Sequence, residues 1–208
     1  MAEKPILFNT EMVKAILDGK KTQTRRVIKS APLGLFYEDG CPARNPPYRS
    51  GDVLWVRETW KQETHDYAGG GYALTDGYLY KADGPQDTTG MMVEDRWHPS
   101  IHMPRKAARL FLRVKDVRHE RLQDITPKDA GAEGVQYETD NSGQMRRWLF
   151  RRLWDNTIRK ADLPLYGWIA NPWVWVIEFE RIEGGPAGLW ADRDAAQYAD
   201  QDVLRPAT

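Results

Sequence analysis

The sequence predicts an α+β fold: a small β-barrel or curled sheet with short flanking helices and loop insertions. Three observations carry this. About five segments read as strands, the helical stretches between them are short, and the two do not alternate as βαβ units would. Two of the strands, Arg109–Val117 and Trp173–Ile182, alternate apolar and polar residues clearly, which is the pattern of a sheet with one wet face.

Taken in order, Pro5–Phe8 reads as a short strand. Thr10 then looks like a helix N-cap with Glu11 in the first turn; Met12, Val13, Ile16 and Leu17 recur at helical spacing, and Gly19 sits where a C′ glycine belongs. The string Lys20-Lys21-Thr22-Gln23-Thr24-Arg25-Arg26 follows and reads as a basic turn, so substitutions in it are expected to change stability little. Residues 30–50 contain Pro32, Pro42, Pro46, Pro47, Gly34 and Gly40, a long surface loop. Gly51-Asp52 is a turn, and Val53–Val56 a strand running on towards Trp60. Residues 61–77 are polar and include Gly69-Gly70-Gly71, which predicts an irregular insertion; a strand is expected over Tyr78–Ala82 and loop over 83–106. Thr126-Pro127-Lys128-Asp129 is a helix start with cap, N1 proline and N3 acid, and that helix stops near Gly134. Residues 144–160 form the clearest helix, with Met145, Trp148, Leu149, Leu153 and Trp154 on one stripe and Arg146, Arg147, Arg151 and Arg152 around the rest. The tail after Gly184 is acidic and alanine-rich and is expected to form a peripheral helix.

Composition narrows the functions. Lys plus Arg is 30 and Asp plus Glu is 30, so the 208-residue chain is neutral overall, and any nucleic-acid site must be a local basic patch. Hydrophobic residues make up 41%, enough for a folded domain with a real core. One cysteine, Cys41, excludes a disulfide framework and a cysteine-built zinc site. No apolar run approaches the ~20 residues of a membrane span, and the N-terminus has no signal-peptide apolar region, so the expected address is cytoplasmic. The nine tryptophans suit either a core or base stacking.

Five constellations invite chemistry. In the basic string, the threonines and lysines form either a solvated turn after a helix or a nucleophile with its base. A threonine hydroxyl is inert until a group takes its proton, and a lysine does so only with a lowered pKa, towards which Lys20, Arg25 and Arg26 push Lys21. The segment alone favours the turn. Glu133, at the end of the helix begun by Thr126, reads by itself as an exposed carboxylate. Arg57-Glu58-Thr59-Trp60, leaving an apolar strand, either forms a structural ion pair or lines a pocket. His98 and His102 lie between Pro99 and Pro104 with no third ligand in view, so no metal is expected. The arginine-rich helix offers a face for phosphates, with its tryptophans on the core-like stripe. The signatures of zinc nucleobase deaminases, P-loops, nucleophile-elbow hydrolases and zinc proteases are all absent from the sequence.

Ile16-Leu17-Asp18-Gly19-Lys20-Lys21-Thr22-Gln23-Thr24-Arg25-Arg26, followed by Gly51-Asp52-Val53-Leu54, resembles the ASCH domain family, whose fold is a PUA-like β-barrel related to RNA-binding domains. Arg109–Val117, Leu122–Gly134 and Trp173–Phe179 follow in the family's order. The resemblance implies an ASCH domain over 1–183, with insertions at about 30–50 and 61–106, and an acidic tail over 184–208. The chain is similar to small bacterial ASCH enzymes that hydrolyse N4-acetylcytidine to cytidine and acetate. Their catalytic Lys falls on Lys21, their Thr on Thr24 and their Glu, after the Ile125-Thr126-Pro127-Lys128 helix start, on Glu133. The implied activity is a metal-independent and cofactor-free amidohydrolase acting on N4-acylated cytidine or cytosine. A backbone N–H or Arg26 is the candidate to stabilise the oxyanion; Trp55, Trp60 and Tyr80 either sandwich the base or belong to the core, and Arg57 and Glu58 complete the candidate substrate site. The strings Trp55-Val56-Arg57-Glu58-Thr59-Trp60 and His102-Met103-Pro104-Arg105 resemble the longer ASCH proteins of phages and prophages. The implied partner is a small nucleoside; the alternative is an RNA-binding module or a ribonuclease using the same basic groove, and no membrane partner is expected.

Overall fold

The computed structural model describes residues 2–29, 35–42, 44–67, 71–85, 92–93, 96–137 and 143–183. The expected tail helix after Gly184 lies outside them. The strands are β1 (Glu3–Leu7), β2 (Gln23–Val27), β3 (Val53–Arg57), β4 (Trp60–Tyr67), β5 (Gly71–Tyr80), β6 (Met92–Val93), β7 (Phe111–Arg121) and β8 (Trp173–Arg181). The helices are α1 (Thr10–Leu17), α2 (Pro127–Ala132), α3 (Gln144–Thr157) and α4 (Leu163–Tyr166). The fold is mixed α+β. Among the described residues the strand pairing gives a five-stranded sheet of order β1-β3-β7-β8-β2, with β1 and β2 at its ends, in place of the expected closed barrel. At the β2 end the chain entering the strand engages the end of α2 instead of another long strand: Lys21 bridges to Glu133, and the Thr22 N–H donates to the Ala132 carbonyl.

The chain forms two compact units. The first contains Thr10–Asp52 and Val114–Glu180. Here β2 runs antiparallel to β8, pairing Gln23 with Glu178, Thr24 with Ile177, Arg25 with Val176 and Arg26 with Trp175. Its core gathers Leu122, Ile125, Ala130, Phe150, Trp154, Val174 and Val176. The basic string is therefore not a solvated turn. Lys21, Gln23, Thr24 and Arg25 are all buried, because the folded chain supplies the acids that neutralise the string.

In α3 the face turned to the core is that of Phe150 and Trp154, with Leu149 and Leu153 half-buried beside them. Met145 and Trp148 of the expected stripe are exposed. Trp148 precedes Phe150 by two residues, about 200° around the helix, so both cannot face one core.

The second unit contains Ala2–Asn9, Val53–Arg113 and, at the end of the described residues, 181–183. β1 and β3 are parallel, from Glu3 opposite Val53 to Leu7 opposite Arg57, and β3 is antiparallel to β7. The predicted irregular insertion over 61–77 is instead a hairpin. β4 pairs antiparallel with β5 and, on its other edge, with β6. The polar residues of β4 are part of an alternating pattern: Trp60, Gln62 and Thr64 are buried. The core packs Val53, Trp60, Met103, Ala107, Ala108, Phe111 and Ile182 together.

The helix α2 delivers Glu133. Thr126 is its N-cap and accepts from the Asp129 N–H at 3.1 Å, while the Asp129 carboxylate accepts from the Thr126 N–H and hydroxyl, a complete capping box with Pro127 in the first turn. Glu133 is the C-cap, and Gly134 follows with φ +94°. A side chain at 134 is disfavoured twice. The φ is that of a left-handed residue, and a Cβ there would sit 3.0 Å from Ala15 Cβ and 3.3 Å from Lys21 Cβ. Thr126→Ala is expected to lower the unfolding free energy by about 1 kcal/mol, the usual cost of a lost N-cap, read as a drop in the thermal or urea midpoint. An unchanged midpoint would show that α2 is held by packing alone.

Candidate functional site

The site is built where β2 begins. The αL glycine Gly19 (φ +70°) ends α1, and the N–H groups of Lys20 and Lys21 both bond the Ala15 carbonyl, at 2.8 and 2.9 Å. This fixes Lys21 with its side chain directed into the first unit, where it is fully buried. Its ammonium donates to the Gln23 carbonyl at 2.7 Å, to the Glu133 carbonyl at 3.0 Å and to Glu133 Oε2 at 2.6 Å. The Glu133 carbonyl belongs to the C-cap residue of α2, so the ammonium satisfies a helix-end acceptor and offsets the cost of a carboxylate at that end.

The second Glu133 oxygen, Oε1, accepts from Arg25 Nη1 at 3.1 Å. Arg25 is itself fully buried and held on three sides. Its Nε and Nη2 donate to Glu120 Oε1 at 3.0 and 2.6 Å, and its Nη1 also donates to Gln23 Oε1 at 2.9 Å. Glu120 comes from β7, and the Gln23 amide donates onward to Glu178 of β8 at 3.0 Å. Two buried cations thus face two carboxylates, which is the condition for such charges to stay inside a protein. Burial pulls the Lys21 ammonium below the usual lysine value, an effect opposed by Glu133 and reinforced by Arg26 and Arg25.

Thr24 and Glu133 line one small cavity of about 40 Å³, together with Arg25 and Arg26, and Phe150 and Trp154 of α3 form its apolar wall. That space is little more than one water molecule's share of the liquid. Arg26 also lines a larger open cleft of about 580 Å³ with Lys29, Arg44, Tyr48 and Trp175. Burial lowers the Arg26 pKa, against the opposing charges of Tyr48 and Glu133.

Of the candidates named from sequence, Lys21, Thr24, Arg26 and Glu133 come together in the first unit. Trp55, Arg57, Glu58, Trp60 and Tyr80 belong to the second. There Glu58 is buried and accepts from Arg109 Nε at 3.0 Å and Nη2 at 3.1 Å, while Asp83 holds the same guanidinium. Burial raises the Glu58 pKa, tempered by Arg109. The Arg109 guanidinium also lies 3.9 Å from the Tyr80 ring centre, and the Tyr80 hydroxyl donates to the Ala107 carbonyl at 2.8 Å; burial pushes that phenol up to about 12. Trp60 is a core residue packed on Tyr78 and His98, and Trp55 lies half-buried against the same core with Arg57 over its ring. His98 is thus a packing residue and His102 is exposed.

Sequence reasoning missed Arg25 and Glu120 as members of the site, and the Lys29, Arg44, Tyr48 and Trp175 cleft. One usable signal was the spacing of Gln23 and Arg25: two polar residues two apart in a strand share a face, and a buried face with an arginine on it demands an acid. Nothing in the sequence around Glu120 marks it as that acid.

Among solved structures, the ASCH domain from Lactobacillus crispatus aligns at 11% sequence identity with a TM-score of 0.35, covering 86% of this chain and 79% of that one. Protein EF3133 from Enterococcus faecalis, described under the family model DUF984, aligns at 12% identity with a TM-score of 0.40, covering 88% of this chain and 80% of its own. No protein-family model matches the chain, and no curated protein matches it. Agreement at this level leaves the functional reading to the site's own residues.

Proposed function

We propose that this chain is a metal-independent amidohydrolase that cleaves the N4-acyl amide of acylated cytosine compounds, as the ASCH-like strings imply. The observation that carries the reading is a buried Lys21–Glu133 ion pair, 2.6 Å long, beside a cavity lined by Thr24 and Glu133. A buried lysine paired with a carboxylate that itself lines the threonine's cavity is an arrangement suited to proton transfer, and it is costly to keep for stability alone.

In the reaction, the Thr24 hydroxyl oxygen attacks the acyl carbonyl and its proton passes to Lys21. In the resting geometry three N–H bonds of Lys21 are committed to Gln23 O, Glu133 O and Glu133 Oε2. A lone pair therefore appears only when one proton is lost to solvent, a loss that the burial of Lys21 favours. Neutral Lys21 then accepts the Thr24 proton and returns it to the exocyclic nitrogen as the carbon–nitrogen bond breaks. Water activated by the same pair clears the threonine ester, releasing the carboxylate. Arg25, held by Glu120, fixes the Glu133 carboxylate, and Arg26 is positioned to stabilise the oxyanion. The test is direct: incubation with N4-acetylcytidine is expected to give the ultraviolet shift to cytidine, and a stable spectrum with active, folded protein would end the reading.

The pH dependence has a definite sign. A base must be deprotonated, so kcat/KM is expected to rise with pH through the Lys21 pKa, and that midpoint lies below the usual lysine value of 10.5. Stability follows the same group. Between the lowered folded value and 10.5 the unfolded chain binds more protons at Lys21, so its contribution to stability increases as pH rises across that window. A rate profile flat on the acid side would remove Lys21 from the proton-transfer role.

A second reading, an RNA-binding module, is favoured by the outer face of α3. Trp148 is 48% exposed there, with the Arg152 guanidinium 4.9 Å from its ring centre and Arg151 exposed nearby. Binding through such a face falls steeply with salt, whereas hydrolysis of a small neutral nucleoside does not.

A further inference from the structure

We propose that the open cleft beyond Arg26 is a phosphate-binding extension of the site, so that the ligand is a cytidine mononucleotide rather than a free nucleoside. The acyl part of this statement rests on the amidohydrolase reading; the phosphate part does not. The cleft holds about 580 Å³, within the range of pockets that enclose one small molecule. Among the described residues its wall carries three cations, Arg26, Lys29 and Arg44, and no carboxylate.

The missing acid is informative in a chain with equal numbers of both signs. Elsewhere in the same unit several cations have acidic partners: Arg25 has Glu120 and Glu133, Arg118 has Glu178, and Lys115 has Glu180. Among the described residues, neither the Lys29 ammonium nor the Arg44 guanidinium has an acidic partner. A cleft lined by one sign of charge focuses potential and draws in an anion of the other. A phosphate monoester, with nearly two charges and three acceptor oxygens, matches two flexible cations well.

The rest of the lining suits a nucleoside. Tyr48 and Trp175 supply aromatic surface, and β-pairing sets Trp175 opposite Arg26. Arg26 lines both this cleft and the cavity of Thr24 and Glu133. Thr24 and Arg26 lie on one face of β2, two residues and about 7 Å apart along the strand. A ligand with its phosphate at Lys29 and Arg44 and its base over Arg26 therefore directs the N4 end towards Thr24.

Binding is measured by calorimetry with cytidine 5′-monophosphate, cytidine and a six-residue oligocytidylate on the full chain, so that the readout does not depend on turnover. The monophosphate is expected to bind about tenfold or more tightly than cytidine, the advantage a charge-assisted contact supplies. Arg44→Gln and Lys29→Gln are each expected to reduce that advantage while leaving the thermal midpoint in place. Equal affinity for the two compounds, no binding of either, or an advantage that survives both substitutions overturns the proposal. Much tighter binding of the oligocytidylate than of the monophosphate overturns it too, and identifies a strand-binding groove. Turnover separates the two readings. If N4-acetylcytidine is cleaved as well as its 5′-phosphate, the phosphate site fails and the amidohydrolase stands. If the monophosphate binds as expected and neither acylated compound is cleaved, the amidohydrolase fails and the phosphate site stands.

Discussion

Lys21→Arg is expected to produce a folded protein with almost no turnover of N4-acetylcytidine, a loss on the order of 10²- to 10⁴-fold, the range that a general base supplies. A guanidinium keeps its proton near neutral pH, so it preserves the charge opposite Glu133 while removing the lone pair the reaction needs. Lys21→Met separates the electrostatic part. It leaves Glu133 with Arg25 alone in a buried site, and breaking a buried pair from one side costs about 3–5 kcal/mol. Its thermal midpoint is therefore expected to fall well below that of the arginine variant. This reverses the expectation that goes with a polar turn, because the Lys21 side chain has no exposed surface at all. Rapid turnover by Lys21→Arg would eliminate the base and leave only a stabilising charge. Equal stability of the arginine and methionine variants would mean that the pair contributes nothing to the fold.

The parts legible in the sequence are those whose cause is local. The Thr126 capping box sits in four consecutive residues, and the structure contains it with both reciprocal hydrogen bonds. The apolar segments that become β7 and β8 and the glycine that ends α1 are equally local, and each marks a real element boundary within a few residues, although the expected alternation fails in β8, where Val174, Trp175, Val176 and Ile177 are all buried. The basic string shows the opposite case. Its residue types are those of a solvated surface, and only Glu120, Glu133 and Glu178, each more than ninety positions away, convert it into a buried strand. A polarity scale assigns Arg25 to water because it cannot see the acids that replace water around it. The hairpin of β4 and β5 was illegible for a related reason: Gln62 and Thr64 are buried polar residues, so the period-2 signal is carried by side chains that do not look apolar. The convergence of Lys21 and Glu133 came into view only through family resemblance, since over a hundred residues separate them and no spacing rule links the two. The strand pattern left a small barrel and a curled sheet both open and the resemblance favoured the barrel, whereas the pairing among the described residues is the open five-stranded order.

Thr24→Ala is expected to abolish turnover by roughly three or more powers of ten while leaving substrate affinity within a few-fold, because it removes the attacking oxygen and little binding surface. Thr24→Ser retains the oxygen and loses one methyl. Its rate is expected to stay within about a hundredfold of the parent, reduced because the freed rotamer spends less time aligned in a cavity shaped for threonine. The residue lies in β2, opposite Ile177 and against the wall formed by Phe150 and Trp154, so the methyl has packing partners and the serine variant should also be slightly less stable. The two variants therefore order differently in the two measurements: alanine is worse in rate, whereas both are similar in stability. If Thr24 only positions the base, the pattern inverts. Alanine then raises KM with kcat nearly unchanged, since what is lost is binding shared by ground state and transition state. A covalent trap gives an independent check. Quenching a reaction early and measuring intact mass is expected to reveal the acylated parent protein, about 42 Da heavier for an acetyl group, and no such adduct on Thr24→Ala. An adduct that persists in the alanine variant would move the nucleophile to another side chain, with Lys21 the first to examine by peptide mapping.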